Sequence, residues 1–427
     1  MSIVDNPYES LTGARSGCSA ALAGPNVGHV FRSPLRGPWL TSVFGVVLLA
    51  CLPIVIITGL LDYVAYGQGQ GIPGDVGFLR LPFFDWPAGP SWLFRLTQGL
   101  HVGLGLVLVP VVLAKLWSVI PKLFAWPPVR SLAHALERVS LLLLVGSILF
   151  EIVTGLLNIQ YDYVFGFSFY TAHYLGAWVF IASFAAHVAL KLPTMIRSLR
   201  SRSLRKELAT PLARTEPEPP DETGLVAENP APPTMSRRSA LGVVGGGVLL
   251  VGVLTAGQAI GGPLRSAALL LPRGRAPEGD FPINRTAAAA RISTADTGAA
   301  WRLALGGVSL SRAELLALPQ HTARLPIACV EGWSTVQTWT GVRLRDLAAL
   351  AGIAEPDSAF VASIEQGPFA RARLNRGQVR HPDALLALRV NGADLSLDHG
   401  FPARVIVPAL PGVHCTKWVR SIDFRSV

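Results

Sequence analysis

Three histidines lie inside long apolar segments in the first half of the chain, where polar side chains are costly and usually functional. His101 lies in the segment near 95–117, and both His173 and His187 lie in the segment near 172–193. His173 and His187 are 14 residues apart, so on one helix they differ by about 40° in direction and lie about 21 Å apart along the axis. This spacing suits two haems stacked across a bilayer, each bound by one imidazole from this helix.

The other histidines supply the second ligand of each haem in this hypothesis. His101 and His173 both lie near the outer end of their segments, so we expect them to share one haem. His187 lies near the inner end, and its partner is expected to be His29 or, alternatively, His134. The other interpretation is that these histidines only form hydrogen bonds between helices. Three histidines at this spacing and depth favour haem b.

The chain contains four cysteines, and no two of them form a CxxC pair. A structural zinc or iron–sulfur site is therefore not expected. Cys329 follows an apolar stretch and begins the turn Cys329-Val-Glu-Gly-Trp333-Ser, which is a suitable place to present a metal ligand. The alternatives for Cys329 are a buried structural thiol and a disulfide to Cys415.

The elements that would position these residues are largely apolar. Half of the 427 residues are hydrophobic and 15% are charged, whereas a soluble domain carries about a quarter charged residues. A helix that crosses a bilayer needs about 20 apolar residues. Four segments qualify, and a fifth is Gly-rich and less hydrophobic; they lie near 38–60, 95–117, 139–160, 172–193 and 239–262. We therefore expect an all-α, four-helix haem bundle in the membrane, followed by a fifth transmembrane helix.

The formal net charge is +10, for which nucleic-acid binding and cationic cytoplasmic loops are the two interpretations. The basic residues cluster in the N-terminal segment, between the second and third spans, and after the fourth span. The positive-inside rule places these three regions in the cytoplasm, so no nucleic-acid partner is expected. Everything after about residue 263 is then extracytoplasmic, and the chain is expected to cross a bacterial inner membrane several times.

The fifth span begins with Ser236-Arg237-Arg238-Ser-Ala-Leu, an arginine pair ahead of a mildly hydrophobic stretch. This arrangement resembles a twin-arginine export signal, and the alternative is an ordinary Arg-flanked membrane anchor. Twin-arginine export would carry the following domain already folded around a cofactor. We divide the chain into five parts. They are a cytoplasmic segment (1–37), a cytochrome-like bundle (38–200), a flexible cytoplasmic linker (201–236), the fifth helix (237–262) and an extracytoplasmic domain (280–427).

Residues 280–427 alternate short β-type runs with turns and contain one expected helix near 343–351, a pattern typical of a mixed α+β domain. Three ordered motifs carry a more specific signal: Cys-Val-Glu-Gly-Trp-Ser, His-Gly-Phe-Pro-Ala-Arg, and Pro-Gly-Val-His-Cys-Thr-Lys-Trp. In these motifs the domain resembles the molybdopterin-binding domain of the sulfite oxidase family. The first motif is most similar to the bacterial periplasmic protein-methionine-sulfoxide reductase branch.

The resemblance implies one molybdenum held by a single pyranopterin dithiolene and by the Cys329 thiolate, a soft ligand that suits such a centre. His399 would contact the pterin; it is the sulfite-oxidase-like choice, because the reductase branch has an asparagine there. Arg404 and Lys417 would be the cations for the pterin and its phosphate, and main-chain donors near Cys415 and Thr416 would lie beside them. Asn284, in a looser motif match, would also contact the cofactor.

The first four spans resemble the cytochrome b subunits of bacterial formate dehydrogenases and nickel hydrogenases. This resemblance implies two b haems, the inner one bound by a histidine from the first span. The matching residue here is His29, which departs from that pattern because it lies ahead of the span, towards the cytoplasm. The two resemblances together imply a membrane oxidoreductase that passes electrons between quinone or quinol and an extracytoplasmic molybdenum centre. The expected substrate is an S-oxide, an N-oxide or an oxidised protein methionine. Sulfite oxidation with electrons sent inward, and a non-catalytic electron-transfer protein, are the alternatives.

Overall fold

The structure is a computed structural model that describes residues 33–67, 75–76, 79–80, 84–124, 131–159, 169–219, 225–226, 229–270, 281–366 and 370–426. The first half consists of helices α1 (Pro38–Tyr66), α2 (Leu93–Val107), α3 (Val109–Leu123), α4 (Leu132–Asn158), α5 (Phe169–Ser201), α6 (Leu204–Ala209) and α7 (Arg237–Ile260). A pair of short strands, β1 (Asp75–Val76) and β2 (Leu79–Arg80), lies between α1 and α2. In the described residues, five helical stretches are long and apolar enough to cross a membrane, with α2 and α3 forming one of them. The five predicted apolar spans are thus confirmed as helices of that kind.

The second span is interrupted at Leu108, which separates α2 from α3. Pro110, the second residue of α3, has no backbone N–H and its ring crowds the preceding turn, so the regular hydrogen-bond ladder stops there. The Leu108 N–H still donates to the Leu104 carbonyl at 3.0 Å, which keeps the two helices continuous as one span. The predicted span near 95–117 did not include this break.

The helices pack with α1 against α2, α3 and α5, while α4 lies along α5 and α7 lies against α2 and α3. A buried apolar cluster joins α1, α3 and α5 through Trp39, Val111 and Phe180. Gly247 of α7 lies against the ring of Pro110. Small residues of this kind allow helices to approach closely where no hydrophobic effect drives them together.

Residues 201–236 were expected to form a flexible linker, but their described part is packed. α6 contacts α7, and a 3₁₀ turn follows at Leu212–Arg214. Glu218 accepts hydrogen bonds from the guanidinium of Arg237 at 3.1 and 2.6 Å. Arg237, the first arginine of the export-like motif, is 2% exposed and Glu218 is 5% exposed. Because a buried cation requires an anionic partner, the glutamates of this segment form an ion-pair cap rather than a solvated tether.

Replacing Glu218 by alanine is expected to lower the free energy of unfolding by about 3 kcal/mol, the lower end for breaking a buried ion pair. The effect is at the lower end because Glu207 remains near Arg237, at 3.4 Å. Thermal unfolding of the full chain in detergent measures the change. Glu216→Ala is the matched control, since that side chain is exposed and only its main-chain carbonyl contacts Arg237. Equal stability of the two variants would contradict the prediction.

The C-terminal part is a mixed α/β domain, as predicted. Its strands are β3 (Arg302–Leu305), β4 (Val308–Ser311), β5 (His321–Ala328), β6 (Ser334–Arg343), β7 (Ser358–Ser363), β8 (Arg371–Asn375), β9 (Leu385–Val390), β10 (Ala393–Asp394), β11 (Arg404–Ile406) and β12 (Val419–Arg425). Its helices are α8 (Arg312–Ala317), α9 (Leu344–Leu350) and α10 (Arg376–Val379). The helix expected near 343–351 corresponds to α9.

The strands form two five-stranded sheets in the described part of the domain. One has the order β10-β9-β6-β5, with β11 also paired to β9, and the other has the order β4-β3-β12-β7-β8. Fully buried residues such as Leu303, Val361 and Leu388 come from both sheets and share one apolar core. The two sheets therefore hold the ends of β5 and β11, which carry site residues, in a rigid frame.

The domain docks on the ends of the helices through polar contacts to main-chain atoms. Trp86, in the segment before α2, donates from its indole to the Ala409 carbonyl at 2.7 Å. The Trp86 carbonyl in turn accepts from the side chains of Asn375 and Gln378 at 3.2 and 3.0 Å. Tryptophan is common at membrane interfaces. Trp86 is instead buried against the domain, because its indole and carbonyl both find partners there.

Candidate functional site

Cys329 lies at the end of β5, where the chain makes a tight turn before β6. The Cys329 N–H donates to the Trp333 carbonyl at 2.9 Å, and the Gly332 N–H donates to the Cys329 carbonyl at 3.0 Å. Gly332 has a φ of 88°, a left-handed conformation that favours glycine. The Trp333 indole donates to the Glu331 carboxylate at 3.0 Å. The turn thus holds the buried Cys329 side chain at a defined place beside the strand end.

A cavity beside this turn brings together residues that are distant in the sequence. Five of the predicted cofactor residues line it: Asn284, Cys329, His399, Arg404 and Lys417. The other two predicted residues, Cys415 and Thr416, are buried but do not line it. The hydroxyl oxygen of Thr416 is buried without a hydrogen-bond partner in the described residues.

The cavity carries the charge that a phosphate-bearing cofactor requires. Arg404 is 5% exposed, and its guanidinium donates to the main-chain carbonyls of Cys415 at 3.1 Å and His399 at 3.4 Å. No carboxylate of the described residues forms an ion pair with it. Burial lowers the pKa of Arg404 to about 10, so the side chain is still cationic at neutral pH. A buried cation whose hydrogen bonds go to carbonyls fits a bound phosphate, which would supply negative charge.

His399 and Cys415 are both fixed by their surroundings. His399 Nδ1 lies 2.9 Å from the Ser396 hydroxyl, and Nε2 lies 3.1 Å from the Phe281 carbonyl. Cys329 and Cys415 are not joined by a disulfide, so that alternative is not realised. Burial raises the pKa of the Cys415 thiol, which disfavours its reactive thiolate form.

Cofactor binding is expected to weaken as the pH rises through about 7 because of Lys417. Burial lowers the pKa of this side chain to about 7, while Nζ donates to the carbonyls of Arg285 and Asp398. A phosphate binds the ammonium form, which is present below that pKa, so affinity falls about tenfold per pH unit above it. Phosphate binding to cofactor-free full-length protein, measured from about pH 6 to pH 9, checks this. Lys417→Arg should flatten the profile, and identical profiles would refute the role of Lys417.

A second site lies among the helices, where α2 and α5 bring His101 and His173 together. Their ring centroids are 6.0 Å apart and the rings are nearly perpendicular, at 83°. A metal–imidazole bond is about 2 Å long and each centroid lies about 1 Å beyond its nitrogen, so one metal between two imidazoles separates the centroids by about 6 Å. The pair therefore has the separation that a bis-histidine iron requires.

Each ring of this pair is anchored through Nδ1. His101 Nδ1 lies 2.9 Å from the Val55 carbonyl, and His173 Nδ1 lies 3.0 Å from the Thr154 hydroxyl and 3.1 Å from the Glu151 carboxylate. Metal-binding histidines are commonly held in this way through the ring nitrogen that does not bind the metal. These contacts engage Nδ1 of each ring, so Nε2 is the nitrogen that could bind a metal. None of these anchoring residues was predicted as part of a haem site, because carbonyl and hydroxyl partners have no sequence signature.

An apolar cavity of about 220 Å³ surrounds the two histidines between α1, α2, α4 and α5. Gly59 makes room for one ring, since a Cβ there would lie 2.6 Å from His101 Cε1. The lining also includes Gln98 and, from the other domain, Val330. Two anchored imidazoles in an apolar cavity suit a flat, largely hydrophobic macrocycle. No sequence pattern indicated that the residue after Cys329 would line a cavity of the helices.

The surroundings of His187 differ from those of the His101–His173 pair. The charged side chains of Lys115, Lys191 and Glu137 lie near it, and Lys191 forms an ion pair with Glu137 at 2.6 Å. His134 lies in the first turn of α4, where its N–H donates to the Ser131 hydroxyl at 3.1 Å. The other predicted partner, His29, lies outside the described residues. The second haem ligand at this end stays a prediction.

Known proteins resemble parts of this chain. Residues 290–427 match the family model described as oxidoreductase molybdopterin binding domain. The chain is 34% identical over 116 residues to the uncharacterized oxidoreductase YuiH of Bacillus subtilis, which covers 27% of this chain and 58% of that protein. It is 35% identical over 100 residues to sulfite oxidase of Arabidopsis thaliana, covering 20% of this chain and 25% of that protein.

A further relative is named "Putative protein-methionine-sulfoxide reductase subunit YedZ1" of Azospira oryzae. It is 29% identical over 109 residues, which cover 26% of this chain and 41% of that protein. The chain thus spans less than two thirds of each of these relatives. The C-terminal third is a molybdopterin-binding oxidoreductase domain of the sulfite oxidase type, as its motifs predict.

Proposed function

We propose that this chain, whose C-terminal third is a sulfite-oxidase-type molybdopterin-binding domain, is a membrane oxidoreductase that uses quinol to reduce an S-oxide or N-oxide. One observation carries the proposal. Cys329 lines the cofactor cavity of the domain, and the next residue, Val330, lines the cavity around His101 and His173. Two cavities suited to redox cofactors are therefore lined by adjacent residues of the chain. An electron-transfer enzyme requires its cofactors to lie this close together.

The residues of the domain would hold a molybdenum cofactor in a defined way. The Cys329 thiolate would bind the metal, and the cations of Arg404 and Lys417 would neutralise the phosphate. Asn284 and His399 would contact the pterin from the same cavity. When bound, the cofactor supplies oxygen-atom transfer, in which two electrons and two protons convert an S-oxide to a thioether and water.

The helices would supply the electrons. His101 and His173 would hold one b haem, with Val55, Thr154 and Glu151 fixing the orientation of the rings. The proposal includes a second haem on His187 with His29 or His134, nearer the side from which quinol donates. It also places the chain in a bacterial inner membrane, with the N-terminus in the cytoplasm, the Mo domain outside, and the SRRSAL segment as a twin-arginine signal.

Reduction is favoured over oxidation for two reasons. A cytochrome b supplied by quinol is a natural donor of electrons, and one relative is named as a subunit of a methionine-sulfoxide reductase. Oxidation of sulfite is the second candidate, and His399, the sulfite-oxidase-like residue, favours it together with the similarity to plant sulfite oxidase.

Purified full-length protein tests both candidates. We expect molybdenum and haem b in the preparation, and oxidation of dithionite-reduced haem when methionine sulfoxide, dimethyl sulfoxide or trimethylamine N-oxide is added. Reduction of oxidised haem by sulfite, with no response to the oxides, would establish the second candidate instead. Protein that contains neither cofactor, or haem that responds to none of these compounds, would refute the proposed function.

A further inference from the structure

The turn between Cys329 and Ser334, here called the junction loop, is the part of the domain that meets the helices beside the histidine pair. Val330 packs against the core shared by the two sheets and the ends of α1, α2 and α5, and also against the smaller core that contains Cys329. Gly332 lies so close to α2 that a Cβ there would lie 2.8 Å from Val102 Cγ1. Val102 follows His101 directly, so the loop reaches the haem-ligand segment itself.

Two buried glutamines from different helices hold consecutive carbonyls of the junction loop. Gln98 of α2 donates to the Val330 carbonyl at 2.9 Å, and Gln258 of α7 donates to the Glu331 carbonyl at 3.0 Å. Gln98 is 4% exposed and Gln258 is 1% exposed. A buried amide that bonds to a main-chain carbonyl fixes the backbone itself and is costly to lose.

The end of the loop is fixed in the same manner. The Ser334 hydroxyl donates to the Ala259 carbonyl at 2.7 Å, and the Arg265 guanidinium donates to the Ser334 carbonyl at 2.8 Å. Apolar side-chain contacts would be enough to attach the domain to the helix bundle, without directed hydrogen bonds to the loop backbone. Four directed bonds on one short loop instead set the position of Cys329 relative to His101 within narrow limits.

We infer that the junction loop is the point at which the bundle and the domain exchange electrons, and that Gln98 is a positioning residue for this transfer. The inference rests on the proposed function. Each transfer would take one electron from a haem held by His101 and His173 and give it to a molybdenum centre held by Cys329. Two such transfers with two protons would balance the reduction of one S-oxide to a thioether and water. Gln98 lies one helical turn before His101, so its bond to Val330 links the haem ligand to the neighbour of the molybdenum ligand.

The test compares Gln98→Leu with Gln320→Leu in the full-length protein. Gln320 also donates to two carbonyls, those of Leu315 and Leu318, but lies within the domain and is exposed. We expect Gln98→Leu to lower quinol-driven turnover about tenfold relative to turnover driven by reduced viologen, which donates directly to the domain. Molybdenum content should equal that of the wild type, and quinol-driven turnover is expressed per bound haem because Gln98 lines the cavity around the histidine pair. Gln320→Leu should change none of these quantities.

Hydrogen exchange on cofactor-free protein provides a second readout. Gln98→Leu should speed exchange of the main-chain amides of the junction loop, whereas Gln320→Leu should not. Gly332→Ala reaches the same loop without altering Gln98, since its Cβ would collide with Val102, and should lower the same turnover ratio. If the ratio is unchanged in both junction variants while the wild type oxidises its haem with an S-oxide, the inference is wrong and the proposed function stands. If the wild-type haem does not respond to any substrate, the proposed function itself fails.

Discussion

Cys329→Ala is expected to reduce oxygen-atom-transfer activity to background and to lower the molybdenum content of the purified protein. The physical reason is that the cavity offers one thiolate at the turn after β5, and a methyl group cannot bind molybdenum. The haem absorption bands should be unchanged, because the histidine pair lies in a separate cavity among the helices. Metal analysis by mass spectrometry and turnover with reduced viologen measure the two effects.

Cys415→Ala is the matched control for this substitution. Cys415 is also buried in the domain, but its side chain does not line the cofactor cavity, and its carbonyl bond to Arg404 survives the change. This variant should keep its molybdenum and most of its activity. Full activity and metal content in Cys329→Ala would overturn the assignment of the metal ligand.

His101→Ala and His173→Ala are each expected to remove one haem per chain. Each substitution removes one of the two iron–imidazole bonds of a bis-histidine haem. Water does not favourably fill the place of the lost side chain, because the cavity is apolar. Turnover with quinol should fall to background, whereas turnover with reduced viologen should persist because the molybdenum site is intact. Haem per protein and the reduced absorption spectrum provide the measurement.

His381→Ala serves as the control for the histidine variants, since this residue lies in the C-terminal domain, where its Nδ1 accepts from the Asp383 N–H. It should keep the full haem content. Retention of every haem band in both His101→Ala and His173→Ala would mean that these residues only bond across helices. A loss of haem in one variant alone would point to a different second ligand.

Much of the architecture was predictable because it depends on short stretches of sequence. The apolar segments predict the five spans but not their ends, since α5 extends to Ser201 where the prediction stopped near 193. Hydrophobicity over about 20 residues decides whether a helix suits a bilayer, not where the helix ends. The helical period predicts that His173 and His187 share one face of α5. The ordered motifs around Cys329, Arg404 and Lys417 predict residues that the structure places around one cavity.

Other features were missed because distant segments create them. The composition of 201–236 suggests disorder, yet Glu218 is buried with Arg237, and that pairing exists only when α7 packs beside the segment. The break at Leu108 follows from a single proline, whose effect depends on its position in the helix. Trp86 is of a residue type that is common at membrane interfaces, but the docked domain supplies its hydrogen-bond partners.

The sequence by itself determined the kinds of chemistry this protein carries: imidazoles within apolar helices and a thiolate within a molybdopterin-type motif. These properties are local, because hydrophobicity, helical period and motif order are all read within a few turns or strands. Only the tertiary structure decided that His101 and His173 lie 6.0 Å apart and that Gln98 holds the residue next to Cys329. The first distance depends on how α2 and α5 pack within the helix bundle, and the second contact depends on how the bundle and the domain pack against each other. Directed hydrogen bonds between remote segments leave no periodic trace in the chain.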